Sequence, residues 1–384
     1  MSASKQFNLE EIFARLKVRK REEPAQVINL PPGRFLDEGV YLCEALHGPI
    51  SEVSKYEQKR CIETLSSWGA GEPLVFFDLE TTGLSGGTGT YVFLAGIGFF
   101  QGDSFTVRQL FLCSPKYEQA WLSRLLDIIP GKPAFVTYNG KNFDLPLINT
   151  RLLLSKMKPF EETKHLDLLY LARRLWKRRI GSCSLSNVER QILNIERESD
   201  DIPGRFIPDL YMTFLKTGDA ATLHGVFYHN EMDIISLCNL FYRVAFVLSG
   251  QSHDPHEVNC AGDAWYGHDL DQAKFLWAKA ALLEPPAMEA LWKLAMESKR
   301  RNNYTEALSL LTKLYGMGYR RIDVAVEISK IYEHKLKDVH TALSWADKAM
   351  MDFLQYRPLA MTWQNKQSDL SKRLERLKRK LGAL

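Results

Sequence analysis

The sequence predicts an α/β domain followed by an all-α repeat domain, and three observations carry that expectation. Leu74–Phe77 is an apolar, aromatic run of the kind that fills a buried strand, and a second apolar run spans Tyr91–Phe100. Apolar residues then recur at helical spacing over Leu147–Met157, over Leu168–Trp176 and at Leu237, Leu240, Phe241 and Val244. Beyond Pro255 the pattern is helical throughout, and the segments DQAKFLWAKA, TEALSLLTKL and HTALSWADKA echo one another, with Ala273, Ala307 and Ala342 spaced by 34 and 35 residues. Such a period marks arrays of paired helices. Gly250, Ser252 and Pro255 interrupt the helical pattern. The expected boundaries are 1–70 for a partly helical extension, 71–250 for the α/β domain and 256–384 for the helical repeats.

In chain order, Phe7–Lys20 has a helical pattern, Pro31-Pro32-Gly33 breaks it, and Gly39–Leu46 reads as a strand. These residues carry no assignable chemistry and are expected to pack on the α/β domain or extend its sheet. The first buried run ends in two carboxylates, Asp78 and Glu80. Side chains alternate along a strand, so both point to one side, where something positive must compensate them.

Asp144, followed by Leu145-Pro146, fits a helix N-cap with proline in the first turn, and that position explains an acidic residue about as well as chemistry does. Asp233 is harder to explain by local structure. It shares the apolar stripe of Leu237, Leu240, Phe241 and Val244, so it faces the core, where a lone carboxylate is costly. Two such costs in one domain point to bound metal. Asp167, in HLDLLYLARRLW, fits better as a first-turn residue favouring its helix dipole than as a ligand. Cys43, Cys61, Cys113, Cys183, Cys238 and Cys260 are scattered singly, without zinc-site spacing.

Three ordered motifs, FFDLETTGL from Phe76, YNGKNFDLP from Tyr138 and HNEMD from His229, together resemble the exonucleases of the ribonuclease H-like fold that use four acidic residues, Asp-Glu-Asp-Asp. The resemblance covers about Leu74 to Leu248. It is closest to a bacterial group that carries ETTGLSGGTGTYVFLAG and tetratricopeptide-like repeats after the nuclease domain. It implies an α/β ribonuclease H-like domain, a mixed sheet flanked by helices, with Asp78, Glu80, Asp144 and Asp233 holding two Mg²⁺ or Mn²⁺ ions. It also implies hydrolysis of single-stranded nucleic acid from its 3′ end, with substrate contacts from Thr81, Gly83, Leu84, Asn139, Phe143 and Tyr228. Hard oxygen donors suit those cations. Two ions roughly 3.5–4 Å apart supply a water deprotonated near neutral pH and a stabilised leaving 3′-oxygen. The loop from Gly83 to Thr90 is longer and richer in glycine than a hairpin needs, and its bare N–H groups suit it to cradle the terminal nucleotide. It lacks the Gly-Lys-Ser/Thr ending of a nucleoside-triphosphate loop.

The general base departs from the family, one branch of which has Tyr four residues before the last Asp and the other His five before it. Here His229 takes the first place and Tyr228 the second. At about 100° per residue, His229 stands about 40° from Asp233 and Tyr228 about 140° away. His229 is therefore the expected base if the helix begins before it, and an imidazole titrates near neutral pH. A capping or core-packed histidine is the structural alternative.

Composition sets the outer limits. At 384 residues, 45% hydrophobic and 25% charged, the chain suits a globular protein with two cores. No run approaches the roughly 20 apolar residues of a membrane span, and Met1–Arg21 lacks the apolar core of a secretory signal. A cytoplasmic, reducing location is expected. Net charge of +4 is mild, so local clusters say more. Arg173, Arg174, Lys177, Arg178 and Arg179 around Trp176 suit phosphates and a stacked base, or equally a solvated helix end over a buried Trp. Lys366–Lys380 reads as a basic helix that caps the repeats or reaches nucleic acid. Ala280, Leu314 and Ala349, seven positions after the repeated alanines, fit the second helix of each repeat. Stacked repeats offer a concave surface to a protein partner, or simply stabilise the nuclease. The alternative class is a catalytically inactive nuclease-like protein that binds nucleic acid or acts as a scaffold through its repeats. The exchanged His229 and Tyr228 keep it open, and the intact acidic quartet argues against it. No motif for a 2′-hydroxyl contact separates RNA from DNA as substrate.

Overall fold

The computed structural model describes residues 27–48, 55–83, 89–102, 104–160, 163–197, 202–355 and 363–382. The expected helix Phe7–Lys20 and most of the glycine-rich loop, Leu84 included, lie outside them. The chain divides into two compact units, one of residues 1–169 and 189–241 and the other of residues 170–188 and 242–384. Compactness therefore groups residues 170–188 and 242–250 with the helices beyond 255, unlike the boundaries drawn from sequence.

The first unit is built on one seven-stranded mixed sheet in the order β1-β2-β5-β4-β3-β6-β7. The strands are β1 Arg34–Asp37, β2 Val40–His47, β3 Leu74–Thr81, β4 Val92–Gln101, β5 Ser104–Leu112, β6 Ala134–Thr137 and β7 Lys164–Asp167. β3 pairs antiparallel with β4 and parallel with β6, so it lies inside the sheet, as its unbroken apolar run requires. The strand expected at Gly39–Leu46 is β2, and with β1 it extends the sheet beyond β5.

The helices of this unit are α1 Lys55–Leu65, α2 Glu118–Ile128, α3 Asp144–Leu154, α6 Ile207–Thr217 and the first part of α7 His224–Leu248, whereas α4 Leu168–Ile180 after its first two residues and α5 Leu185–Val188 belong to the second unit. Alternation along β3 sorts its side chains between two faces. Phe77 and Leu79 join Phe93, Ile148 and Tyr211 in one buried cluster, where Phe93 stacks on Tyr211 with centroids 4.1 Å apart. Phe76 points the other way and meets Phe105 and Phe241 edge-on. Asp78 and Glu80 share the alternation of Phe76, and therefore face α7. Gly96 on β4 lies opposite Asp78, and a Cβ there would sit 2.5 Å from Asn230 Oδ1 and 2.8 Å from Ile234 Cγ1. Only glycine lets α7 descend so far onto the sheet beside Asp78.

The second unit continues with α8 Pro255–Trp265, α9 Leu270–Leu282, α10 Met288–Arg300, α11 Tyr304–Gly316, α12 Arg321–Ile331, α13 Val339–Gln355 and α14 Trp363–Gly382. α8 with α9, α10 with α11, and α12 with α13 form three successive pairs. Ala273, Ala307 and Ala342, and Ala280, Leu314 and Ala349 two turns on, all lie on the second helix of a pair and are fully buried. Asp269 and Asn303 cap α9 and α11, and Asp338 accepts the Thr341 N–H as α13 begins. These caps keep the spacing of the alanines, so the period is written twice.

Part of each basic cluster of this unit is engaged in ion pairs. Trp176 is fully buried and its Nε1 donates to Glu257 at 2.8 Å, while Arg179 pairs with Asp254 and Arg178 with Glu289. A ring so enclosed cannot stack on a base, which corrects the base-stacking part of the reading of this cluster and agrees with its alternative, a helix end over a buried Trp. Arg373, Arg376 and Lys380 of α14 likewise converge on buried Glu333, and Lys366 on Asp323. The basic helix thus closes the array. No described helix is long and apolar enough to cross a membrane.

Candidate active site

Three elements of the first unit supply the acidic residues: Asp78 and Glu80 from β3, Asp144 from the first turn of α3, and Asp233 from α7. Their mutual electrostatics show how closely they converge. Burial, and then Asp233 and Asp144, hold the Asp78 carboxyl well above the usual carboxylate range. Burial, and then Asp78, Asp233 and Asp144, do the same to Glu80. Asp144 is pushed up to about 7 by burial and by Asp167 and Asp233, against hydrogen bonds from its own N–H and that of Leu79. Asp233 is raised by burial, with His229 and Arg197 opposing. Like charges buried together favour protons or cations, and an all-oxygen donor set fits a hard divalent ion. Among the described residues, Glu80, His229 and Asp233 also bring ligand atoms within 4.8 Å of one another.

Asp144 is not the N-cap of α3. Phe143 occupies the cap position without a side-chain capping bond, and the Asp144 carboxyl reaches across to the Leu79 N–H on β3. The residue that braces the second motif is Asp167. Its carboxylate accepts the N–H groups of Asn139 at 2.8 Å, Lys141 at 3.1 Å and Leu169 at 3.1 Å, tying the loop before α3 to the start of α4. With its oxygens so engaged, Asp167 serves as an anchor, and its place at a helix start is used for backbone capping.

Two polar residues not singled out in the sequence aim Asp78. Asn230 Nδ2 donates to Asp78 Oδ2 at 2.9 Å, Gln109 Nε2 donates to Asn230 Oδ1 at 3.1 Å, and Gln109 also holds the Phe227 carbonyl at 2.7 Å. Gln109 lies opposite Gly96 on β5, so the chain of bonds runs from β5 through α7 to β3. The available signal was a polar residue within the apolar strand FTVRQLFL.

α7 begins at His224, five residues before His229, which meets the condition placed on the base. His229 Nε2 lies 3.5 Å from Asp233 Oδ2, on the helical face that carries the acid. Its Nδ1 faces Arg197 Nη1 at 3.1 Å. A guanidinium only donates, so Nδ1 accepts, and in the neutral ring the proton sits on Nε2.

Arg197 also escaped the sequence reading. Its Nε and Nη2 fork onto Glu189 at 2.9 and 2.6 Å, and Nη2 donates as well to Asp233 Oδ1. Burial works against its charge, but Glu189 and Asp233 outweigh burial and raise its pKa further above the ordinary arginine value. Glu189 opens the π-helical turn Glu189–Leu193 and is almost wholly buried.

Of the expected substrate contacts, Thr81 Oγ1 donates to the Gly83 carbonyl at 2.8 Å and Asn139 takes a left-handed φ of 67°. Phe143 is 53% exposed beside Asp144, and Tyr228 precedes His229 on α7, half-buried.

Comparison with known proteins agrees with this geometry. Residues 75–245 match the RNase_H superfamily, a span that contains every residue of the site. The chain is 34% identical over 341 residues to the Bacillus subtilis (strain 168) protein YprB, covering 86% of this chain and 81% of that one. With a mixed sheet, a nuclease-like domain and this relative along most of its length, the chain belongs to the ribonuclease H superfamily, in the family of YprB.

Proposed function

We propose that the chain is a 3′–5′ exonuclease that hydrolyses phosphodiester bonds of single-stranded nucleic acid by a two-metal-ion mechanism. The observation that supports this reading is the convergence of four half-buried carboxylates, each lifted above its ordinary pKa. Asp78, Glu80, Asp144 and Asp233 would hold the two ions, Mg²⁺ or Mn²⁺. When bound, such ions lower the pKa of water and stabilise charge on the departing oxygen.

The chain's own residues supply the rest. Gln109 and Asn230 keep Asp78 aimed. His229 is the general base, with Nδ1 as the atom that takes the proton of the attacking water once Arg197 withdraws from it. Thr81, Gly83, Leu84 and Asn139 border the carboxylates in sequence and form the seat of the terminal nucleotide, with Tyr228 beside the base. Phe143, exposed beside Asp144, offers a face for base stacking.

The test uses single strands labelled at either end, the full-length protein, and Mg²⁺ or Mn²⁺. Early release of a mononucleotide from the 3′-labelled strand, lost in Asp78→Ala, supports the proposal. No release with either cation, or release unchanged by Asp78→Ala, overturns it.

A further inference from the structure

We propose that Arg197 is a metal-displaced guanidinium, which holds Asp233 and His229 until a divalent cation takes Asp233 and then turns its released edge to the phosphate being cleaved. This rests on the metal-dependent nuclease reading above. The mount for such a device is Glu189. Its two oxygens accept Nε and Nη2 side by side, the bidentate arrangement that gives both strength and orientation. The side chains of Glu189 and Arg197 are 2% and 9% exposed, so the pair is held firmly within the fold.

The guanidinium has five N–H donors. Glu189 takes one on Nε and one on Nη2, Asp233 takes the other on Nη2, and His229 takes one on Nη1. Asp233 Oδ1 thus faces Arg197, and Asp233 Oδ2 lies 3.5 Å from His229 Nε2. Asp233 and Glu80, whose ligand atoms share one 4.8 Å cluster with His229, would hold a cation here, and it would draw on those same Asp233 oxygens. Two cations on one carboxylate repel each other at a separation where charges in a protein interact by several kcal/mol. With a divalent ion bound, Nη2 would leave Asp233 while the Glu189 fork keeps the guanidinium beside the site. Its freed edge, Nη1 and the second Nη2 hydrogen, is the planar donor pair that matches two phosphate oxygens. The same movement uncovers His229 Nδ1.

A purely structural role makes the opposite prediction for metal. If Arg197 merely stiffened Asp233 and His229, its loss would loosen the ligands and weaken cation binding. The experiment measures Mn²⁺ binding to the full-length protein by calorimetry, together with single-turnover hydrolysis of a labelled single strand at saturating Mn²⁺. The variants are Arg197→Gln and the double change Glu189→Gln with Arg197→Gln, which leaves no unpaired buried carboxylate to compromise folding. The expected result is Mn²⁺ binding tighter by roughly tenfold or more from the relief of repulsion, with hydrolysis slower by on the order of 10²-fold from the lost phosphate donor. Unchanged or weaker Mn²⁺ binding in the folded double variant overturns the inference, and so does hydrolysis within about threefold of wild type. Wild-type protein that binds no Mn²⁺ or cleaves no strand overturns the nuclease reading itself and this inference with it.

Discussion

Without metal, the carboxylate cluster should make the protein less stable as pH rises, and Asp144 gives the loss a size. Burial and its neighbours push this carboxyl up to about 7, against an ordinary value of 3.8. The folded state therefore keeps a proton that the unfolded chain has already released. That contribution is fully present below about pH 4, falls away as pH climbs, and is gone above about pH 7. A gap of about three pH units at about 1.36 kcal/mol each amounts to about 4 kcal/mol, or roughly 10 °C in melting temperature for a unit of this size. Asp144→Asn keeps the shape and an acceptor oxygen for the Leu79 N–H, and removes the charge. Melting the full-length protein in chelator should place Asp144→Asn level with wild type near pH 4 and several degrees above it at pH 8. Saturating Mn²⁺ should reverse the order at pH 8. Wild type gains about 2.7 kcal/mol at a hundredfold excess over Kd, and the variant, lacking a ligand, gains less. A difference in chelator that is the same at every pH, or a variant less stable at pH 8, would refute the reasoning.

Asp78→Ala and Asp233→Ala should each abolish hydrolysis while the metal-free melting temperature holds or rises, because a ligand and a repulsive charge leave together; paired assays and melts of the same preparations check this. His229→Ala should slow turnover on the order of 10²–10⁴-fold and Tyr228→Phe far less, so a larger effect at Tyr228 under identical conditions would transfer the base to that residue. Gly96→Ala would drive a Cβ to 2.5 Å from Asn230 Oδ1 and should destabilise by about 1–3 kcal/mol; an unchanged denaturant midpoint would contradict the close approach of α7. A chain ended at Gly250 removes Glu257, to which Trp176 and Arg243 donate, so hydrogen exchange should show the amides of Leu171–Trp176 losing protection.

The parts of the site legible in the sequence were those written within one element. Alternation alone put Asp78 and Glu80 on one face of β3, and helical spacing alone put Asp233 on the inner stripe of α7 with His229 one turn before it. Asp144 stayed ambiguous for the same local reason. An acidic residue before Leu-Pro satisfies the capping rule, yet its carboxyl is bonded by its own N–H and by that of Leu79, far away in the chain. The basic segments of α4 and α14 were readable only in part, since composition records charges and not the Asp254, Glu289 and Glu333 that pair with some of them. Glu189 and Arg197 had no local signal at all. Glu189 opens a π-helical turn and Arg197 follows that turn, both outside every motif, and Arg197 reaches Asp233 only because the fold brings that segment back to α7.

The charge balance of the site bears on why that last pair is there. When ionised, Asp78, Glu80, Asp144 and Asp233 carry four negative charges, which two divalent cations match. Glu189 and Arg197 add one charge of each sign and leave that match intact. Neutralising the quartet is therefore not what the pair accomplishes, and a buried pair of this kind is poor evidence of added stability, because desolvation offsets much of the attraction. What it does provide is a guanidinium whose bonds to Asp233 and His229 can be exchanged while its bonds to Glu189 remain. Such an exchange moves donors without changing the total charge of the site, so the energetic difference between its two arrangements stays small enough for a single bound cation to decide it.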